Sequence, residues 1–223
     1  VADIRIDGAG KKVTRSDNCR VSDLSVSSDN LTFTYEAKSL PYPIDTSYYD
    51  NEKHTQADAL SVIPFMDEMN YEGLSVSGLS DGYYGLTIGG EFIGRFTARE
   101  LERGINMALL QNTPQYKQAM KIRQMNEERW LKERKMREFY WVEYNLMRKT
   151  GMLWACNEAA VDTLRKYRPH DIFLQWNGDL WLQYMHKGIR EDCVNEQQDL
   201  VNQIYEQNKP IPLRIEIKKF TDL

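Results

Sequence analysis

Apolar and polar positions alternate with period two through the first hundred residues, then recur at spacings of three and four after Thr97. Ile4 and Ile6 alternate ahead of Gly8-Ala9-Gly10. Val21 to Val26 and Leu31-Thr-Phe-Thr-Tyr35, separated by a Ser-Asp-Asn turn, predict a hairpin with one buried face. From Glu72 the pattern predicts a three-strand meander. Leu74 and Val76 alternate, Asp81-Gly82 turns the chain, Tyr84, Leu86 and Ile88 alternate again, and Gly89-Gly90 supplies a tight hairpin before Phe92 to Phe96 returns. Pro41 and Pro43 exclude a central strand around Tyr42, because proline cannot donate to a ladder. Residues 45 to 59 are polar and read as a loop or partner-contact segment. Leu60 to Met69, interrupted by Pro64, fits a short helix or a strand.

Thr97 and Glu100 have the spacing of a capping box, and Leu101, Ile105, Ala108 and Leu109 then share one helical face. Thr113-Pro114 restarts the helix, since a proline at the first helical position loses no bond. If Pro114 to Lys149 is continuous, it is about 54 Å long. Its middle, Asn126 to Glu138, is mostly charged and reads as solvated, with i,i+4 pairs Glu128–Lys132 and Glu133–Arg137. Phe139 to Met147 is apolar on too many sides to be left in water. Gly151 is placed to end the helix. Asn157 caps a further helix that Pro169 stops, and Ile189 to Asn208 forms another. Ile211, Leu213, Ile215 and Ile217 alternate as a closing strand that rejoins the N-terminal sheet. The pattern therefore predicts an α+β chain. An antiparallel β-sandwich-like sheet (1–96) is followed by a helical subdomain with one long helix (97–208) and a closing C-terminal strand and tail (209–223), all packed as one unit.

Composition narrows the functions. The 223 residues are 41% hydrophobic and 28% charged, as in an ordinary soluble globular protein. A net charge of -4 and a pI near 5.5 give no general attraction to nucleic acid or anionic membranes. No run approaches the roughly 20 apolar residues of a spanning helix. The opening VADIRIDG lacks a signal peptide's pattern and an initiator Met, and reads as the start of an internal fragment or a processed product. Cys19, Cys156 and Cys193 are too scattered for a disulfide framework or a zinc site.

No G-x-S-x-G or G-D-S block marks an activated serine. Two constellations can be drawn as an independent hydrolase: Cys156 beside Asn157 and Glu158 with His170, or His170 with Asp171. Against these stand a small buried cysteine ahead of a capped helix, and a His-Asp pair whose side chains diverge on a strand. No metal-ligand spacing and no phosphate-cradling loop occurs, so neither metal nor cofactor is indicated. Phe173, Trp176, Trp181, Tyr184 and His186, interleaved with Gln175, Asn177, Asp179 and Gln183, offer the stacking faces and polar groups that bind sugars, or else form core beneath a loop. Tyr42, Tyr48 and Tyr49 form a smaller cluster.

The run LSVSGLSDGYYGLTIGGEFIGRFTARELERGINMALLQNTPQYKQA resembles the segment that follows the catalytic domain in bacterial SGNH (GDSL-like) hydrolases. The likeness rests on Gly82 to Gly89, Ala98 to Asn106 and Thr113-Pro114 in that order. SDLSVSSDNLTFTYEAKSLPYPID and WACNEAAVDTLRKYRPHD are similar to further parts of the same group. Its catalytic serine and D-x-x-H blocks are missing here, and Asp50 to His54 has one residue too many, so no catalytic residue carries over. The resemblance implies a non-catalytic accessory domain of an ester hydrolase, commonly a carbohydrate esterase, in the periplasm or outside the cell. Its partner would be an SGNH catalytic domain in the same or a companion chain, with polysaccharide as a second ligand. Trp130, Leu131, Phe139, Tyr140 and Trp141 are the expected packing face, and Trp176, Asn177, Asp179, Trp181 and Tyr184 the expected glycan contacts. The alternative from another class is a free-standing glycan-binding module centred on Trp176 and Trp181.

Overall fold

The computed structural model describes residues 1–46 and 53–220. Tyr48, Tyr49 and the Asp50 end of the Asp50 to His54 string lie outside them. By contact pattern the chain divides into two compact units, Val1–Arg123 with Gln207–Leu223, and Gln124–Glu206.

The first unit is built from nine strands among the described residues: β1 (Ala2–Asp7), β2 (Lys12–Asp17), β3 (Cys19–Val26), β4 (Asn30–Ala37), β5 (Glu72–Ser77), β6 (Tyr83–Ile88), β7 (Glu91–Thr97), β8 (Ile105–Asn106) and β9 (Leu213–Lys219). They form a sheet in the order β2-β1-β5-β8 and another in the order β3-β4-β9-β6-β7. Alternation decides which side chains are hidden. Ile4, Ile6, Leu74 and Val76 of the first sheet share one core with Leu31, Phe33, Tyr35, Tyr84, Leu86, Ile88, Ile215 and Ile217 of the second. The hairpin β3-β4 and the closing strand are as the pattern predicts, and β9 is inserted between β4 and β6. Gly89 and Gly90, at φ 59° and 84°, make the tight β6-β7 turn.

Two expectations fail here. The meander is not one sheet, because β5 pairs with β1 while β6 and β7 belong to the other sheet. The β1-β5 pair is also parallel, not antiparallel, since the chain leaves through β2, β3 and β4 and re-enters in its starting direction. Register thus follows the buried face, which alternation specifies, whereas the choice of partner does not.

Two short helices, α1 (Phe65–Glu68) and α2 (Ala98–Arg103), complete this unit with the start of α3 (Pro114–Val142). The segment around Pro64 is a 3₁₀ turn followed by α1. The Thr97 side chain accepts from the Glu100 N–H at 3.1 Å, and the Glu100 carboxylate accepts from the Thr97 N–H at 2.7 Å. Contrary to the expected face through Leu109, α2 stops at Gly104, whose φ of 94° breaks the helical path and hands Ile105 to β8. Thr97→Ala removes the box and is expected to cost about 1 kcal/mol. An unchanged denaturation midpoint would show that the box contributes nothing.

The second unit takes over within α3. Glu128–Lys132 and Glu133–Arg137 form the expected ion pairs on its solvated middle. α3 does not run to Lys149 as an α-helix. Glu143–Met147 is a π-turn in which the Arg148 N–H donates to the Glu143 carbonyl, five residues back, at 2.7 Å. α4 (Glu158–Tyr167), α5 (Ile172–Tyr184) and α6 (Lys187–Gln207) follow. Their core joins Met136, Phe139, Val142, Leu146 and Met147 to Ala160, Leu164, Leu174, Trp181, Tyr184 and Cys193. The Asn157 cap is present, its Oδ1 accepting from the Ala160 N–H at 3.0 Å.

Candidate functional site

The π-turn organises the helical unit. It turns Glu143 into the core together with Leu146 and Met147. One carboxylate oxygen accepts the indole N–H of Trp181 at 2.8 Å, and the other accepts the backbone N–H of Trp154 at 2.8 Å. Both oxygens are therefore acceptors. Trp154 has φ 62°, a strained conformation for a bulky residue, and the bond to Glu143 helps hold it there. Its ring lies against Phe139, Tyr140 and Tyr144.

A recess of about 350 Å³ opens beside this hub, lined by Trp141, Asn145, Leu146, Lys149, Thr150, Tyr167, His170, Asp171 and Leu174. Trp141, Leu146 and Leu174 form apolar wall, while Lys149, His170, Asn145 and Asp171 bring groups able to donate or accept. That mixture can hold a small organic molecule with an apolar ring and polar substituents. A separate apolar groove in the first unit is lined by Tyr42, Ile44, Ala59, Leu60, Ile63 and Phe65.

The expected sugar contacts do not form one cluster. They lie on the helix α5, so residues five apart face different ways. Trp181 and Tyr184 are core. Trp176 is 68% exposed, its ring edge-on to Phe173 at 5.5 Å. Asp179 is bound to Arg168 by two 2.7 Å bonds, which holds its carboxyl below the usual carboxylate range, and Asn177 is half-buried. Of the expected packing face, Trp130 and Leu131 are exposed, Tyr140 is partly so, Trp141 is half-buried, and Phe139 is entirely inside the unit.

The hydrolase constellations also come apart. Asp171 is the N-cap of α5, its Oδ1 accepting from the Phe173 and Leu174 N–H groups at 2.8 and 3.3 Å. It serves the helix end and does not orient His170. Cys156 Sγ lies 3.4 Å from Nδ1 of His186, not of His170, while Asn157 caps α4 and Glu158 pairs with Arg165. His170 instead lines the recess. Sequence reasoning missed Glu143, whose role depends on partners 11 and 38 residues away.

A second buried carboxyl sits in the first unit. Glu72 accepts from the Tyr35 hydroxyl at 2.8 Å and from the Gln115 amide at 3.3 Å. Burial pushes its carboxyl up to about 7 against these two bonds, and pushes the Tyr35 hydroxyl up as well.

Residues 120–209 match a family model described as the diltiazem deacetylase C-terminal helical domain, a span that brackets the helical unit. The chain is also similar to a solved structure described as "BT4096 a gut microbial diltiazem-metabolizing enzyme", with 35% identity and a TM-score of 0.91 over 99% of this chain and 50% of that one. The chain spans about half the length of that enzyme. Among curated proteins no match is found. These likenesses support a deacetylase-related C-terminal domain, which is the level at which the hydrolase resemblance holds.

Proposed function

We propose that this chain is the non-catalytic portion of a deacetylase-type ester hydrolase. It packs on a catalytic domain of SGNH type in the same or a companion chain, in the periplasm or outside the cell, and its recess contributes contacts to the acetylated substrate. The observation that carries this reading is the extent of the likeness, 99% of the chain against half of a drug-metabolizing enzyme. The recess adds to it, because Trp141 and Tyr167 offer ring faces beside the polar groups of Asn145, Lys149 and His170. Cys156 and His186 do not by themselves make a hydrolytic centre, since among the described residues no carboxylate bonds the His186 ring.

A chimera tests the proposal. With this chain in place of the matching half of the diltiazem-metabolizing enzyme, the hybrid is expected to fold and to deacetylate diltiazem. The chain alone is expected to release no acetate from diltiazem or 4-nitrophenyl acetate above buffer. A well-folded but inactive chimera would remove the reading. Turnover by the chain alone that disappears in Cys156→Ala or His170→Ala would replace it with an independent hydrolase.

The exposure of Trp176 favours a second reading, a glycan-binding module. It predicts heat on titration with oligosaccharides that is lost in Trp176→Ala, and an athermal titration would exclude it.

A further inference from the structure

We infer that Cys156 and His186 form a reactive thiol site in the helical unit, one that exchanges with small disulfides and carries the product as a mixed disulfide. The sulfur lies 3.4 Å from His186 Nδ1, and both residues are exposed. Among the described residues no second partner bonds the His186 ring, so with Nε2 protonated its Nδ1 is open to accept the thiol proton. The flanking charges are engaged elsewhere. Glu158 pairs with Arg165 at 2.9 Å, and Lys187 with Glu191 at 3.1 Å. The sulfur also stands where two helices start, since Cys156 immediately precedes the Asn157 cap of α4 and His186 immediately precedes α6. Helix N-termini favour a nearby anion, which adds to the imidazolium in stabilising a thiolate.

The other two thiols are placed differently. Cys19 and Cys193 are buried, and burial pushes the Cys19 thiol up to about 11. The chain therefore presents one accessible thiol, with no exposed second cysteine to close an internal disulfide. His186 has no orienting carboxylate, which argues against ester hydrolysis but is no obstacle to exchange. Attack on sulfur is a direct displacement, with no tetrahedral oxyanion to hold. The Cys156 thiol gives its proton to His186, and the thiolate forms a bond to one sulfur of the incoming disulfide. The old S–S bond breaks with its electron pair on the departing thiolate, which takes the proton back from the imidazolium. No outside oxidant enters, because Cys156 is oxidised as half of the small disulfide is reduced to thiol.

The reduced full chain, mixed with 4,4′-dithiodipyridine or with glutathione disulfide, tests the inference. A single thiol of the native chain is expected to react fast, and peptide mass spectrometry should locate the glutathione adduct on Cys156. At about pH 6.5 the rate should exceed that of N-acetylcysteine roughly tenfold, because the gain in thiolate fraction outweighs the lower nucleophilicity of a more acidic thiol. Cys156→Ser removes the fast phase. His186→Gln keeps a hydrogen-bonding side chain that cannot carry the proton. It should slow the reaction roughly tenfold at this pH and move the rate profile to higher pH, the gap closing near about pH 9, where an ordinary thiol ionises unaided. Both positions are exposed, so neither variant is expected to lose the fold. A native Cys156 that reacts no faster than N-acetylcysteine, or a His186→Gln profile that coincides with the parent's, would overturn the inference. So would a first adduct on Cys19 or Cys193.

Discussion

Trp181→Ala is expected to unfold the helical unit at denaturant concentrations where the parent is still native. The side chain is fully buried and sits in the cluster that joins α3, α4, α5 and α6. Truncating a buried Trp to Ala costs about 3–5 kcal/mol through lost burial and the cavity left behind. The loss here is compounded, because one oxygen of the Glu143 carboxylate is left buried without a donor, worth a further ~1–3 kcal/mol. Trp181→Phe separates the two contributions, since it keeps most of the volume and removes only the indole N–H. Urea unfolding followed by circular dichroism at 222 nm should order the proteins parent, Phe variant, Ala variant. A Phe variant as stable as the parent would mean that the Glu143 bond carries no net stability, and an Ala variant within about 1 kcal/mol of the parent would contradict the packing account.

Glu72→Gln is expected to stabilise the protein at pH 8 and to change it little at pH 5. Burial pushes the folded-state carboxyl up to about 7 from its ordinary value of 4.5. Between these values the native state holds a proton that the unfolded chain has given up. Stability therefore falls as pH rises through this window and levels off above about 7. A shift of this size corresponds to at most about 3 kcal/mol. The amide introduced at position 72 cannot ionise. Its oxygen can accept from Tyr35, and its NH₂ can donate to the Gln115 carbonyl oxygen, which is buried without a partner. The difference between variant and parent unfolding free energies, measured from pH 4.5 to 8.5, isolates this group from the other titrating residues. A difference independent of pH would show that Glu72 keeps an ordinary carboxylate affinity for protons.

Local signals in the sequence report local structure well. Leu31, Phe33 and Tyr35 announce a strand with one buried face, Thr97 and Glu100 a helix start, and Asn157 another, and each is found. What alternation does not encode is the partner. Leu74 and Val76 look like neighbours of Tyr84 and Leu86, yet β5 and β6 lie in different sheets that share a core. α5 was hidden by its own composition, since Ile172 to Tyr184 carries apolar residues on most sides and shows no clear amphipathic face. Asp171, a capping residue at its start, was the available sign. The site residues were least legible. Glu143 reads as one acid among many, and its burial follows from a π-turn that no spacing rule marks. Trp154 gave no warning of its positive φ.

The position of β9 bears on how this chain leaves the ribosome. The last strand occupies the middle of its sheet, so until residue 213 emerges, β4 and β6 each present an unsatisfied edge flanked by Leu31, Phe33, Leu86 and Ile88. The helical unit is continuous in sequence and is synthesised inside that interval. It can fold vectorially while the earlier strands wait for their central member. Nascent chains stalled before Leu213 should therefore contain a protease-resistant helical fragment beside a β region that chaperones still hold.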